Sequence, residues 1–188
     1  MVGNRCCYNN VSVFGGVVMN KLSRKHLFKI GFRLSLLQST WFEGGMQSIG
    51  FTYSIIPGLR VLYPDPDELK VAVDRYKNTF NTHPFMAGII AGIVLRMEED
   101  KTPNHQIVFF KDSSMGVMAA MADPFFKCAL PAFVSVTACL AAILGGPYAG
   151  IIAIVIAFNA VHLAVKFGGL VYGYKEGINA LQRVAGWI

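Results

Sequence analysis

Few side chains in this 188-residue chain have the company that chemistry needs. Four histidines (His26, His83, His105 and His162) stand apart from one another in sequence, and an isolated histidine is more often a hydrogen-bonding group than a base. Cys6 and Cys7 are adjacent, while Cys128 and Cys139 sit in apolar sequence. None has metal-ligand spacing, which predicts free thiols in a reducing or buried setting. There is no phosphate-cradling glycine loop with its lysine, no G-x-S-x-G and no H-E-x-x-H. The sequence therefore predicts no catalytic residue, no cofactor and no metal site.

Two polar sets remain. Asp123 lies in the run MGVMAAMADPFF, and a carboxylate among such neighbours is costly at membrane depth unless it serves a site or a partner. It can also cap a helix, with Pro124 at the first helical position, and both roles are compatible. Gln38, Thr40, Glu43 and Gln47 form the second set. Their amide, hydroxyl and carboxylate groups suit a ligand rich in hydroxyls, and suit capping or water equally.

The elements that must position these groups are set by where charge is absent. The chain is 54% apolar and only 15% charged, well under the quarter usual for a soluble domain. The net charge of +6 belongs to the N-terminal third, since residues 1–64 hold seven basic groups and one acid. From Cys128 to Val165 there is no charge at all. Gly145-Gly146-Pro147 interrupts that window, so it parses as a helical hairpin, about 128–144 and 148–165, with each arm near the short end of a bilayer span. The competing interpretation is an apolar hairpin buried in a soluble protein. After Pro84, the apolar stretch Phe85–Leu95 is too short to span and suits a re-entrant or protein-buried helix. Gly88 and Gly92 make a small-xxx-small pair, and Gly169, Gly173 and Gly177 repeat the spacing. Such a ladder predicts a close helical neighbour, in this chain or in a partner.

At about 100° per residue, Lys21, Lys25, Lys29 and Arg33 form one stripe and Leu27, Ile30, Leu34 and Leu37 the opposite one. Residues 21–37 thus predict a basic amphipathic helix on an anionic lipid surface, and no nucleic-acid motif accompanies the basic stripe. The positive-inside rule puts this arm and both hairpin ends in the cytoplasm, with the Gly-Gly-Pro tip outside. Residues 1–20 are expected to be unstructured or to hold a mis-assigned start, with Met19 as the alternative first residue. Asp65-Pro66-Asp67-Glu68 predicts a helix start whose helix carries Leu69, Val73, Tyr76 and Phe80. Residues 98–112 predict a charged loop. The expected class is an all-α integral membrane protein with a basic amphipathic arm (21–37), helices and a cytoplasmic loop (38–112), and an apolar hairpin followed by a glycine-ladder helix (113–188).

Ordered strings then suggest a family. Leu37-Gln38-Ser39-Thr40-Trp41, Met46-Gln47-Ser48-Ile49-Gly50-Phe51 and Leu62-Tyr63-Pro64 come first. Phe80-Asn81-Thr82-His83-Pro84-Phe85, Asp123-Pro124, Phe158-Asn159 and the run from Gly169 to Gly177 follow. From about residue 28 to 178 the set resembles the IID component of the mannose/fructose/sorbose family of phosphotransferase-system sugar transporters. The resemblance implies a helical subunit of the cytoplasmic (inner) membrane that pairs with a IIC subunit to carry sugar. Separate IIA and IIB units pass on the phosphate, so no phosphorylated residue is expected here. It implies sugar contacts at Gln38, Trp41, Gln47 and Asp123. Phe42 stands where the family has asparagine, Gly44 where it has an acid and Lys127 where it has tryptophan, and typical members continue for further helices past the position of Ile188. A relative that kept the scaffold without the sugar site is the alternative.

Overall fold

The computed structural model describes residues 22–180 and 183. Lys21, Cys6, Cys7, Met19 and the expectation for residues 1–20 lie outside them. Among the described residues the chain is helical, and its only extended pairings are the isolated bridges Phe42 to Met46 and Met46 to Phe80.

Helix α1 (Arg24–Arg33) starts where the Ser23 amide donates to His26 Nδ1 at 3.3 Å. It ends earlier than its periodicity predicts, and Leu34–Thr40 continues as a 3₁₀ helix. The apolar stripe Leu27, Ile30, Leu34 and Leu37 is buried in the protein core, so it is not the lipid-facing surface the sequence suggests. Phe28, Phe32 and Leu36 are exposed instead, beside Arg24, Lys25 and Lys29.

Helix α2 (Ser48–Leu62) lies on this arm, with the Leu37 backbone packed against Gly50. Helix α3 (Pro66–Asp74) begins as its sequence predicts, for the Asp65 carboxylate accepts from the amides of Asp67 (3.1 Å) and Glu68 (3.0 Å). It stops at Asp74, short of the predicted run, yet Tyr76 and Phe80 are still buried, Phe80 stacking on Phe51 at 3.9 Å. Helix α4 (Ala87–Glu99) is almost wholly buried, and the expected loop at 98–112 shrinks to the four residues before helix α5 (Asn104–Asp123).

The Asp123–Pro124 junction does not start a helix. Pro124–Ala129 forms a π turn that leads directly into α6 (Leu130–Gly145), so 42 helical residues run without a break. Proline removes a backbone donor and crowds the preceding turn, and the wider π turn absorbs both effects. Gly146, at φ +85°, then reverses the chain into α7 (Pro147–Glu176). L-residues avoid that φ, which explains glycine there. At Gly150 the two arms approach closely over Ala138 and Ala142, small residues facing each other.

Exposure decides between lipid and a soluble core. Only 17% and 6% of the apolar windows of the two long helical runs are buried in the protein, with Phe133, Ile143, Leu144 and Ile156 standing outward. Nothing among the described residues covers them, and bare apolar helices of this length match a bilayer. The glycine ladder, by contrast, is used internally. Gly88 and Gly92 of α4 lie against the backbone of α7 at Lys166, Leu170 and Tyr174, and Gly173 lies against Ile89. Gly177, at φ +58°, ends α7 and is not a third rung.

Candidate functional site

A cavity of about 300 Å³ opens where the 3₁₀ helix, the segment before α4, the π turn and α7 converge. Ser35 and Gln38 come from the first, His83 and Phe85 from the second, Phe126 and Lys127 from the third, and Phe158, His162 and Lys166 from α7. Three of these elements are short or irregular and the fourth is the long helix α7, against whose side they converge.

Aromatic packing fixes the walls. Phe85 stacks on His162 (4.0 Å, 17°) and meets Phe126 and Phe158 edge-on at 4.8 and 5.9 Å. His83 stacks on Phe126 at 4.9 Å. The Phe85 amide donates to His83 Nδ1 at 3.3 Å, so the neutral ring carries its proton on Nε2. Among the described residues His162 Nε2 is buried without a hydrogen-bond partner. Lys166 is 1% exposed, and its Nζ donates to Ser35 Oγ at 3.0 Å. These groups offer more donors than acceptors to whatever enters.

The residues singled out in the sequence fall in different places. Gln38 lines the cavity. Gln47 is buried and spends its amide on one residue, donating to the Thr82 carbonyl (3.1 Å) and accepting from the Thr82 amide (3.2 Å). It thereby holds the segment that carries His83. Trp41 caps the 3₁₀ helix and is exposed, away from the cavity lining. Asp123 pairs with Lys127 at 2.6 Å, one turn along the same helical run, so it reaches the cavity only through that lysine. Lys166 and His162 were legible only as the end of the charge-free window and as an isolated histidine.

A second constellation joins residues the sequence shows only separately, Tyr63 in Leu62-Tyr63-Pro64 and Tyr76 on the apolar stripe after Asp65, with nothing to indicate that they meet. Glu98 is fully buried in α4 and accepts from Tyr63 Oη at 2.6 Å and from Tyr76 Oη, with Arg75 Nη2 at 3.3 Å. Burial, then the hydrogen bond and charge of Glu98, push the Tyr63 phenol up to about 12. Tyr76 is pushed well above its ordinary value, by burial first and the Glu98 charge next. Every member has a partner, so the cluster ties α2, α3 and α4 together. No group of three or more metal-ligating side chains exists among the described residues.

An exposed apolar helical hairpin on a helical base, with a cavity of mixed polar and aromatic lining at the hairpin's foot, defines a helical membrane protein. The chain belongs to the PTS system mannose/fructose/sorbose family IID component family, whose model matches residues 21–187. It is 34% identical over 173 residues to the mannose-specific EIID component of Escherichia coli K12, covering 88% of this chain and 60% of that one. It is 33% identical over 172 residues to the fructose permease IID component of Bacillus subtilis 168, covering 88% and 62%. It superimposes on a chain of the cryo-EM structure of the mannose transporter ManYZ with microcin E492. That match has TM-score 0.77 and 31% identity, over 89% of this chain and 63% of that chain. The chain thus spans about three-fifths of the length of the curated relatives it matches.

Proposed function

We propose that this chain is the IID membrane subunit of a phosphoenolpyruvate-dependent sugar phosphotransferase transporter, pairing with a IIC subunit to translocate a sugar of the mannose/fructose/sorbose type. The observation that carries the proposal is the family match over 21–187 together with the superposition on ManYZ. The chain sits in the cytoplasmic membrane with its hairpin crossing and recrossing, and α1 on the cytoplasmic side. Exposed Arg24, Lys25 and Lys29 beside Phe28 and Phe32 support contact of that arm with anionic lipid. IIA and IIB units deliver the phosphate, and no residue of this chain is phosphorylated. Gln38 and the cavity it lines are this subunit's contribution to the sugar path, while Trp41, Gln47 and Asp123 act at its margins or through their neighbours.

Two experiments test this. Tagged chain solubilised from membranes is expected to co-purify with IIC, and a strain lacking it is expected to lose uptake of the cognate sugar. A IIC subunit that is well expressed yet absent from the purified material overturns the proposal. Retained complex with unchanged uptake would leave the scaffold role and remove the transport role.

A further inference from the structure

Lys166 is the anomaly of the cavity. It is buried, its one hydrogen bond among the described residues goes to Ser35, and no carboxylate there lies within ion-pairing distance. The other buried lysine, Lys111, is neutralised by Asp112 at 2.9 Å and bonded to the Thr79 carbonyl. A buried cation without a counter-charge is costly unless something else compensates it. Around it the lining holds two histidines and Lys127, whose charge Asp123 already pairs at 2.6 Å, but no carboxylate for Lys166, and among the described residues His162 Nε2 is an orphaned polar atom of the same wall. A neutral sugar offers as many donors as acceptors and finds few acceptors here. A ligand group that only accepts, and carries negative charge, satisfies the set.

The depth is right for such a group. Lys166 stands nineteen residues beyond Pro147, roughly 28 Å along the α7 axis from the hairpin tip. That is about one hydrocarbon thickness, so a tip at one surface places Lys166 at the other. Charge is affordable at that level.

We propose that this cavity is a phosphate-group site, in which Lys166 and His162 hold the anionic oxygens of a phosphorylated ligand while Gln38 and His83 line the space left for its hydroxyl-bearing part. It deepens the transporter proposal by assigning to this subunit a hold on the phosphorylated sugar. A phospholipid headgroup presents the same oxygens, and the two sources are separated by experiment.

The 188-residue chain, with IIC where it co-purifies, is placed in phosphatidylcholine nanodiscs and titrated with glucose 6-phosphate, inorganic phosphate and glucose by calorimetry. Binding of the two phosphates, with glucose much weaker, is expected. Lys166→Gln is expected to weaken glucose 6-phosphate binding about ten-fold or more, with Lys166→Arg retaining it. His162→Gln supplies a second variant if Lys166→Gln does not fold. Repeating the titration with phosphatidylglycerol in the disc identifies the source. Competition assigns the site to a lipid headgroup, and unchanged binding assigns it to the soluble phosphate ester. Equal affinity for glucose and glucose 6-phosphate, no phosphate or phosphatidylglycerol effect at all, or binding indifferent to both variants overturns the site. Loss of IIC association and uptake would overturn the transporter proposal separately, because phosphate binding is read on this chain directly.

Discussion

Gly92 of α4 lies against the carbonyl of Leu170 in α7 so closely that a Cβ there would fall well inside van der Waals contact with the oxygen. The obstacle is backbone, which does not swing aside as a side chain does. Gly88 has the same relationship with the Lys166 carbonyl. These contacts press α7 onto α4 and so fix the height at which Lys166 enters the cavity.

Gly92→Ala is therefore expected to cost about 1–3 kcal/mol, the usual range for overpacking. A lowered thermal midpoint in detergent is the measurement. Gly168→Ala, whose Cβ would meet nothing within 4 Å, is the control and is expected to be neutral or slightly stabilising.

Glu98 bonds two tyrosines and pairs with Arg75, whose side chain is itself largely covered. Glu98→Ala strands that guanidinium and is expected to cost about 3–5 kcal/mol. Tyr63→Phe removes one hydrogen bond to a charged acceptor and is expected to cost about 1.5–3 kcal/mol. Both are read from unfolding midpoints.

The same cluster makes stability fall at high pH. Tyr63 keeps its proton up to about 12 in the folded chain, whereas an unfolded phenol loses it near 10. The contribution is complete below pH 10 and is lost as pH rises through 12, because the unfolded state then binds fewer protons. Denaturation monitored between pH 9 and 12 is expected to show that decline, and Tyr63→Phe is expected to make it shallower while Tyr76, also raised by burial, keeps part of it.

Gln47 and Gln38 separate structure from transport. Gln47→Leu breaks both bonds to Thr82 and leaves buried backbone groups unpaired, so faster amide exchange over residues 80–86 is expected. Gln38→Ala, at an exposed position on the cavity wall, is expected to change stability by no more than about 0.5 kcal/mol while sugar uptake falls.

Much of the scaffold is local and could be read in order along the chain. An uncharged window interrupted by Gly145-Gly146-Pro147 carries the hairpin, and Asp65-Pro66 carries the start of α3, because solvent preference and capping depend on neighbours in sequence. Helix ends were less legible. Proline at 124 looked like a boundary, yet a π turn let the helix continue, since packing of Phe126 and Leu130 against α7 outweighs one lost backbone bond.

The sequence by itself determined that the chain is helical, that it carries an apolar hairpin turned at Gly145-Gly146-Pro147, and that Gly88, Gly92 and Gly173 allow close approach. Only the tertiary structure decided what those glycines approach, that Glu98 gathers Tyr63, Tyr76 and Arg75, and that Lys166 meets Ser35 across 131 residues of chain. Periodicity records which side of a helix avoids water. It carries no information about which distant side is placed opposite, and charge compensation and cavities are properties of that pairing.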